Sequence, residues 1–329
     1  MSRILKAAQN PGKAYQHLIN NIHPIHPAED LFLYVTSRFP IGTHVLDREW
    51  DVLVILDTCR VDALRTVSNE YGFINDVERI LSRGGTSPEW IAHTFDSDYL
   101  SELEKTAYIT ANPHAKTVLE DRQQLASHSA AARRFYRYGK WNPVEPSDLD
   151  LYDPAVSYHS DTKVLDIDFI GDITPPQYIT DRAIAVGREH SPKRMILHYM
   201  QPHYPWVAHA IEQNRDIEEW EERPERSKSY GRNKVFSAYL NDLKFVLDEV
   251  QVLLNNLDAE TVVISSDHGD AFGEWGIYGH GPGRFHPQVR YVPWAVTNAS
   301  DSGEYTPQIT SSPNTETSMI SQLEALGYR

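Results

Sequence analysis

The sequence predicts an α/β fold: a mostly parallel central sheet with helices on both faces. Three observations lead there. Runs of strand rather than helix length occur at 51–56, 105–110, 194–199 and 261–265, and those at 51–56 and 261–265 are apolar and rich in β-branched residues. Stretches with helical spacing lie between them, and that alternation builds parallel sheets. Two of the runs end abruptly in polar groups, Asp57-Thr58 and Asp267-His268-Gly269, as buried parallel strands do where their C-terminal ends open onto a crevice.

Taken in order, residues 1–45 read as an N-terminal arm, and 46–329 as one domain. Ile4, Leu5 and Ala8 fall at helical spacing in the arm; its three basic residues are too few by themselves to favour a membrane contact. The run 51–56 is the first strand, and Arg60-Val61-Asp62-Ala63-Leu64 begins a helix. The run 105–110 is the second strand, stopping at Asn112-Pro113-His114, where a turn is expected. A polar helix over 117–138 is followed by a surface excursion over 139–178, rich in Pro, Asp and Tyr. A helix over 179–189 feeds the strand 194–199. The charged segment 212–234 reads as a lid or a solvated helix. Val235, Tyr239, Leu243, Val246, Leu247, Val250 and Leu254 then mark a long helix leading into the strand 261–265.

Composition narrows the function. The 329 residues are 40% hydrophobic and 23% charged, as in an ordinary globular protein. No apolar stretch of ~18 residues is present, so no transmembrane segment is expected. The basic start lacks an apolar h-region, which makes a cytoplasmic location the expectation. The net charge of −15 argues against nucleic acid as partner, and an acid excess with few lysines suits a high-salt cytoplasm. The single cysteine, Cys59, rules out internal disulfides and a Cys-based zinc site. Any metal must be held by Asp, Glu, His, Asn or hydroxyl oxygens.

The polar strand ends are where ligands gather in open α/β folds. Asp57, Asp267 and His268 are therefore candidate metal ligands. Asp with His suits Zn or Mn; carboxylates with oxygen ligands suit Mg or Ca. His198 near the end of the strand at 194–199 reads as a satisfied core histidine, and His203 follows that strand. In Gly84-Gly85-Thr86-Ser87-Pro88, two glycines permit a tight turn, Ser87 can cap a helix, and Pro88 suits its first turn. A hydroxyl at that point faces helix amides that favour an anionic phosphate or sulfate, and metal coordination would make it a nucleophile.

The ordered set resembles the alkaline phosphatase/sulfatase superfamily, and its sulfatase-like members most. The motifs are Asp57-Thr58-Cys59-Arg60-Val61-Asp62, Pro202-His203-Tyr204-Pro205, Ser266-Asp267-His268-Gly269, Gly273-Glu274-Trp275-Gly276 and Gly279-His280-Gly281. The resemblance spans residues 50 to about 297 and implies an alkaline-phosphatase-like fold. It implies one or two divalent ions (Zn, Mn, Mg or Ca) on Asp57, Asp267, His268 and His280. It further implies that His203 contacts the substrate and protonates the leaving group, with Arg60, His114 and His198 as further substrate contacts. Formylglycine-dependent members carry Cys/Ser-x-Pro-x-Arg about thirty residues after the first acid. The matching stretch is Thr86-Ser87-Pro88-Glu89-Trp90, so the register puts Thr86 at the nucleophile position, with Ser87 next in line, and no formylglycine precursor. The implied activity is metal-dependent hydrolysis or transfer of a phosphate or sulfate ester, small or glycan-linked. The alternative is a non-catalytic binder of anionic glycans or lipid head groups in the same crevice.

Overall fold

The computed structural model describes residues 27–121, 130–155, 174–222 and 230–310. The helix expected around Ile4, Leu5 and Ala8 lies outside these residues, as do parts of the excursion over 139–178 and of the charged segment.

Seven strands form one sheet: β1 Val52–Leu56, β2 Glu78–Leu81, β3 Thr106–Thr110, β4 Leu151–Pro154, β5 Arg194–Tyr199, β6 Ala259–Ser265 and β7 Tyr291–Ala299. Their spatial order is β2-β7-β6-β1-β5-β3-β4. Pairing is parallel from β6 across to β4, while β7 runs antiparallel to both β6 and β2. The longer helices are α1 Pro27–Thr36, α2 Val61–Val67, α3 Ser87–Thr94, α4 Ala130–Tyr138, α5 Pro176–Glu189 and α6 Arg232–Leu254.

Strand β1 shows why the sheet is covered twice. All five of its residues are buried. Side chains alternate across a strand. Val52, Val54 and Leu56 accordingly join one core with α2, α5 and α6, and Leu53 and Ile55 join the other with α3 and α4. A five-residue apolar run with no polar alternation is what burial on both faces requires.

Several expectations change. The excursion over 139–178 contains the edge strand β4, whose Asp153 is buried in an ion pair with Arg182 at 2.6 Å. A polar residue in a short strand hides the period-2 signal that would have revealed it. The expected helix over 117–138 is, in its described parts, the short π-helix Lys116–Glu120 and then α4. A short helix, Ala208–Glu212, leads into the charged segment, which itself carries the short helix Glu219–Glu222. Glu221 there is fully buried, held by Arg215 at 2.5 Å, so this part is anchored rather than solvated. Strand β7, with Pro293 inside it, carried no clear strand signal in the sequence.

The described part of the arm is tied to the domain by its charges. Arg134 Nε of α4 donates to Asp30 Oδ1 at 2.6 Å, and Arg284 Nε donates to Glu29 Oε1 at 2.9 Å. Gly283 has φ +69°, and a Cβ on it would stand 2.1 Å from Glu29 O, so α1 sits directly against that turn.

Candidate active site

The register of the central strands brings distant residues together. Ile55 of β1 pairs with His198 of β5 on one side and Ser265 of β6 on the other. Asp57 and Asp267 each follow two residues after that level, so both carboxyls emerge at the same sheet edge. Both are buried. Thr58 N–H donates to Asp267 Oδ1 at 3.3 Å, a bond across 209 residues of sequence. Thr58 itself has φ 62°, unusual for a β-branched residue, and its carbonyl accepts from Tyr239 Oη at 2.8 Å.

The loop holding Asp267 and His268 is fixed from behind. Asp267 Oδ1 accepts from His268 N–H at 2.8 Å, and Gly269 N–H donates to Val289 O at 2.8 Å. A Cβ at Gly269 would stand 2.1 Å from Gln288 O, so only glycine allows that approach.

Helix α3 delivers the hydroxyl. Ser87 Oγ lies 3.2 Å from Asp57 Oδ2 and 3.3 Å from His268 Nε2. Thr86, given the nucleophile position by motif register, points elsewhere: its Oγ1 donates to Glu89 Oε1 at 3.3 Å. The reason is the helix start. Thr86 is the extended residue before α3 (φ −152°) and Ser87 its first helical residue, so the two hydroxyls diverge. Glu89, which had no role legible in the sequence, holds this turn. Its carboxylate accepts from Gly85 N–H at 3.2 Å and from Gly283 N–H at 2.8 Å.

Asn112 was read as a turn residue. It is a turn residue and also part of the site: Oδ1 accepts from His114 N–H at 2.9 Å, while Nδ2 donates to Asp57 Oδ2 at 2.7 Å. A strand ending in Asn-Pro was the available signal.

The ligand atoms of Asp57, Asp267 and His268 lie within 4.8 Å of one another, the one such group among the described residues. His280 is outside it. Its Nδ1 lies 3.5 Å from Asp270 Oδ1, and its ring packs 4.5 Å from that of His268 and 5.3 Å from that of His203. His198 is more central than a substrate contact at the mouth would be. Its Nδ1 meets Tyr108 Oη at 3.0 Å, and its Nε2 stands 3.7 Å from Asp267 Oδ2 and 3.9 Å from Asp57 Oδ2. His114 is buried near the histidine group, and His203 Nδ1 donates to Tyr204 O at 2.5 Å. Arg60, expected as a substrate contact, is buried among partners of its own. Its buried guanidinium is held by Asp62 (2.6 Å), Glu274 (3.0 Å) and the Asp270 carbonyl (3.1 Å), an anchoring role under the crevice.

The electrostatics suit a cation. Burial, and then the charge of Asp267, push the Asp57 carboxyl well above its ordinary value. Burial opposes ionisation of Asp267 too, but His268 and His198 outweigh it and hold that carboxyl low. Two carboxylates this close do not both ionise unaided; a divalent ion between them reverses the balance. The site passes a direct fit test as well. Asp57 Oδ1 and Asp267 Oδ2 are buried with no hydrogen-bond partner among the described residues, which is a costly state for carboxylate oxygens. Burial lowers His268 to about 4, leaving a neutral imidazole, the form that binds metals. Burial and the neighbouring His280 lower His203 to about 3, and burial with His280 and His268 lowers His114 to about 3.

No protein-family model matches the sequence, and no curated protein matches it. Solved structures with a similar chain path exist. The soluble domain of lipooligosaccharide phosphoethanolamine transferase A from Neisseria meningitidis is 14% identical, with a TM-score of 0.42, over 79% of this chain and 80% of that one. A sulfatase so described from Bacteroides thetaiotaomicron is 12% identical, with a TM-score of 0.42, over 85% and 71%. The C-terminal periplasmic domain of EcEptC from Escherichia coli, solved in complex with Zn, is 15% identical, with a TM-score of 0.36, over 80% and 76%. The likeness is one of chain path alone.

Proposed function

We propose that this chain is a metal-dependent enzyme that transfers or hydrolyses a phosphate or sulfate ester, with Ser87 as the nucleophile. One observation carries the reading: Ser87 Oγ stands between Asp57 and His268, at 3.2 and 3.3 Å, at the edge of the buried acid pair.

Asp57, Asp267 and His268 would hold a divalent ion, which supplies Lewis-acid stabilisation of the serine alkoxide and of the ester oxygens. Asp57 Oδ2, itself fixed by Asn112, orients Ser87 Oγ. Glu89 fixes the backbone turn behind it. The Oγ atom gives its proton to Nε2 of His203 as it attacks phosphorus or sulfur, the bond to the leaving oxygen breaks, and that oxygen takes the same proton from His203. Water or an acceptor alcohol then attacks the seryl ester, and Ser87 Oγ departs and regains its proton. Neutral His203, whose Nδ1–H is held by Tyr204 O, keeps a lone pair at Nε2 for moving that proton. Asp270 aligns His280 beside it.

The test is to quench turnover of phosphate mono- and diesters and sulfate esters, then sequence the peptides by mass spectrometry. A phosphoryl or sulfuryl group on Ser87, absent in Ser87→Ala and kept in Thr86→Ala, is expected. Labelling at Thr86, or turnover that survives Ser87→Ala, sinks the assignment. Metal binding with no turnover of any ester would favour the non-catalytic alternative.

A further inference from the structure

Thr58, in the turn after β1, is β-branched and buried, yet it sits at φ 62°. Glycine and asparagine take that left-handed conformation far more readily. A residue stays in it only where its surroundings impose it. Two bonds impose it here. Thr58 N–H donates to Asp267 Oδ1 at 3.3 Å, and Thr58 O accepts from Tyr239 Oη at 2.8 Å. Rotation about the φ and ψ of Thr58 sets the angle between the two peptide planes that carry these groups. A negative φ would turn one of them away from its partner. The threonine hydroxyl is spent locally, donating to Asp57 O at 2.6 Å.

Tyr239 is built to hold this turn. Its hydroxyl also accepts from Arg60 N–H at 2.9 Å, so one oxygen spans the turn from Thr58 to Arg60. Its ring is buried on the long helix α6, packed by Phe236 at 5.8 Å and Phe272 at 5.1 Å, which fixes where the hydroxyl stands. Burial pushes the phenol well above its ordinary value, so the hydrogen it donates is kept at neutral pH. The two acids depend on the same turn: Asp57 precedes Thr58 in the chain, and Asp267 accepts from its N–H. We propose that Tyr239 is a positioning residue for the metal ligands, its hydroxyl holding Thr58 left-handed and so keeping Asp57 and Asp267 turned toward one ion. This rests on the reading of Asp57, Asp267 and His268 as a metal site, and adds a residue that touches neither ion nor ester.

Calorimetric titration of the full-length protein with Mn²⁺ tests it. Tyr239→Phe keeps the ring and removes the hydroxyl, and should weaken Mn²⁺ binding about tenfold or more. Glycine takes φ 62° without steric cost, so adding Thr58→Gly to Tyr239→Phe should bring affinity back to within about threefold of the parent. A purely structural loss of the hydroxyl would not be recovered in this way. Unchanged affinity in Tyr239→Phe, or a loss that Thr58→Gly does not recover, would overturn the inference. Should Tyr239→Phe alone not fold, the double variant must still fold and bind; if it does not, the inference fails too. A parent protein that takes up no Mn²⁺ would count against the metal site itself, and the metal-free chain then decides the role of Tyr239. Hydrogen exchange at the Thr58 amide should be about tenfold faster in Tyr239→Phe and slow again at that position in the double variant. The same exchange rate in all three chains would overturn the inference whether or not an ion binds.

Discussion

Ser87 Oγ and Asp57 Oδ2 meet at 3.2 Å, joining the first residue of α3 to the residue that follows β1. Asn112 occupies the same carboxylate oxygen at 2.7 Å, so Asp57 is held from two elements, with its other oxygen left over for a cation.

Replacing either acid should therefore separate metal binding from folding. Asp267→Asn or Asp57→Asn is expected to weaken divalent-ion binding about a hundredfold or more, given that even outer-sphere partners cost 10–100-fold. Metal-free stability should hold or rise, because one of two repelling carboxyls is gone. Unchanged ion content in purified Asp267→Asn would rule out the proposed centre.

His203→Ala should slow turnover by about 10²–10⁴-fold, with the larger loss on esters whose leaving oxygen is a poor one. Its imidazole titrates at about 3, so the acid limb of kcat/KM in the pH range from about 5 to 8 should not move in this variant. Equal losses on aryl and alkyl esters would reduce His203 to positioning.

Arg60 gives a stability prediction instead of a binding one. Arg60→Ala leaves Glu274 and Asp62 without their buried partner and removes cation–π contacts to Phe236 and Phe272. A loss of about 1–3 kcal/mol is expected by denaturant titration, since Asp62 is half exposed and Glu274 keeps Arg232 at 2.8 Å. Lysine should not restore it, because it lacks the planar fork. If Arg60→Lys keeps full stability while KM rises, Arg60 belongs with the substrate after all.

Part of the pH dependence of stability follows from a pair away from the metal centre. His44 Nε2 donates to His93 O at 2.9 Å, and its Nδ1 accepts from Leu46 N–H. Burial, with the charge of Arg83, lowers His44 to about 4 and His93 to about 3, from 6.5. Below about pH 6.5 the unfolded chain binds protons that the folded chain refuses, so stability falls as pH drops toward about 4. The loss is on the order of 3 kcal/mol for His44. Urea midpoints should drop between about pH 7 and about pH 5, and less so in His44→Gln with His93→Gln. Parallel pH curves for variant and parent would reject the pair as the cause.

The strands that position the site were legible because they are buried on both faces. β1 is apolar throughout, and β3, β5 and β6 are buried over their last four residues or more, a pattern water contact would have interrupted. β4 and β7 were not, since Asp153 and Pro293 break their patterns and their pairing is a tertiary matter. The acids and His268 were legible from their place at strand ends. The choice between Thr86 and Ser87 was not, because it turns on which residue takes the first helical φ and ψ. Asn112, Glu89 and Asp270 act through hydrogen bonds to residues far along the chain, and no local pattern records those.

The bond between Thr58 and Asp267 also sets an order in time. During synthesis β1 is made early, and β5, its neighbour on one side, is made next among its partners. The opposite neighbour, β6, emerges well after β5, and the loop with Asp267 and His268 follows it. Long-range parallel pairing of this kind is slow to form. Any ion held by all three residues is thus acquired only after β6 has been made, and a chain truncated before β6 would lack two of them, Asp267 and His268.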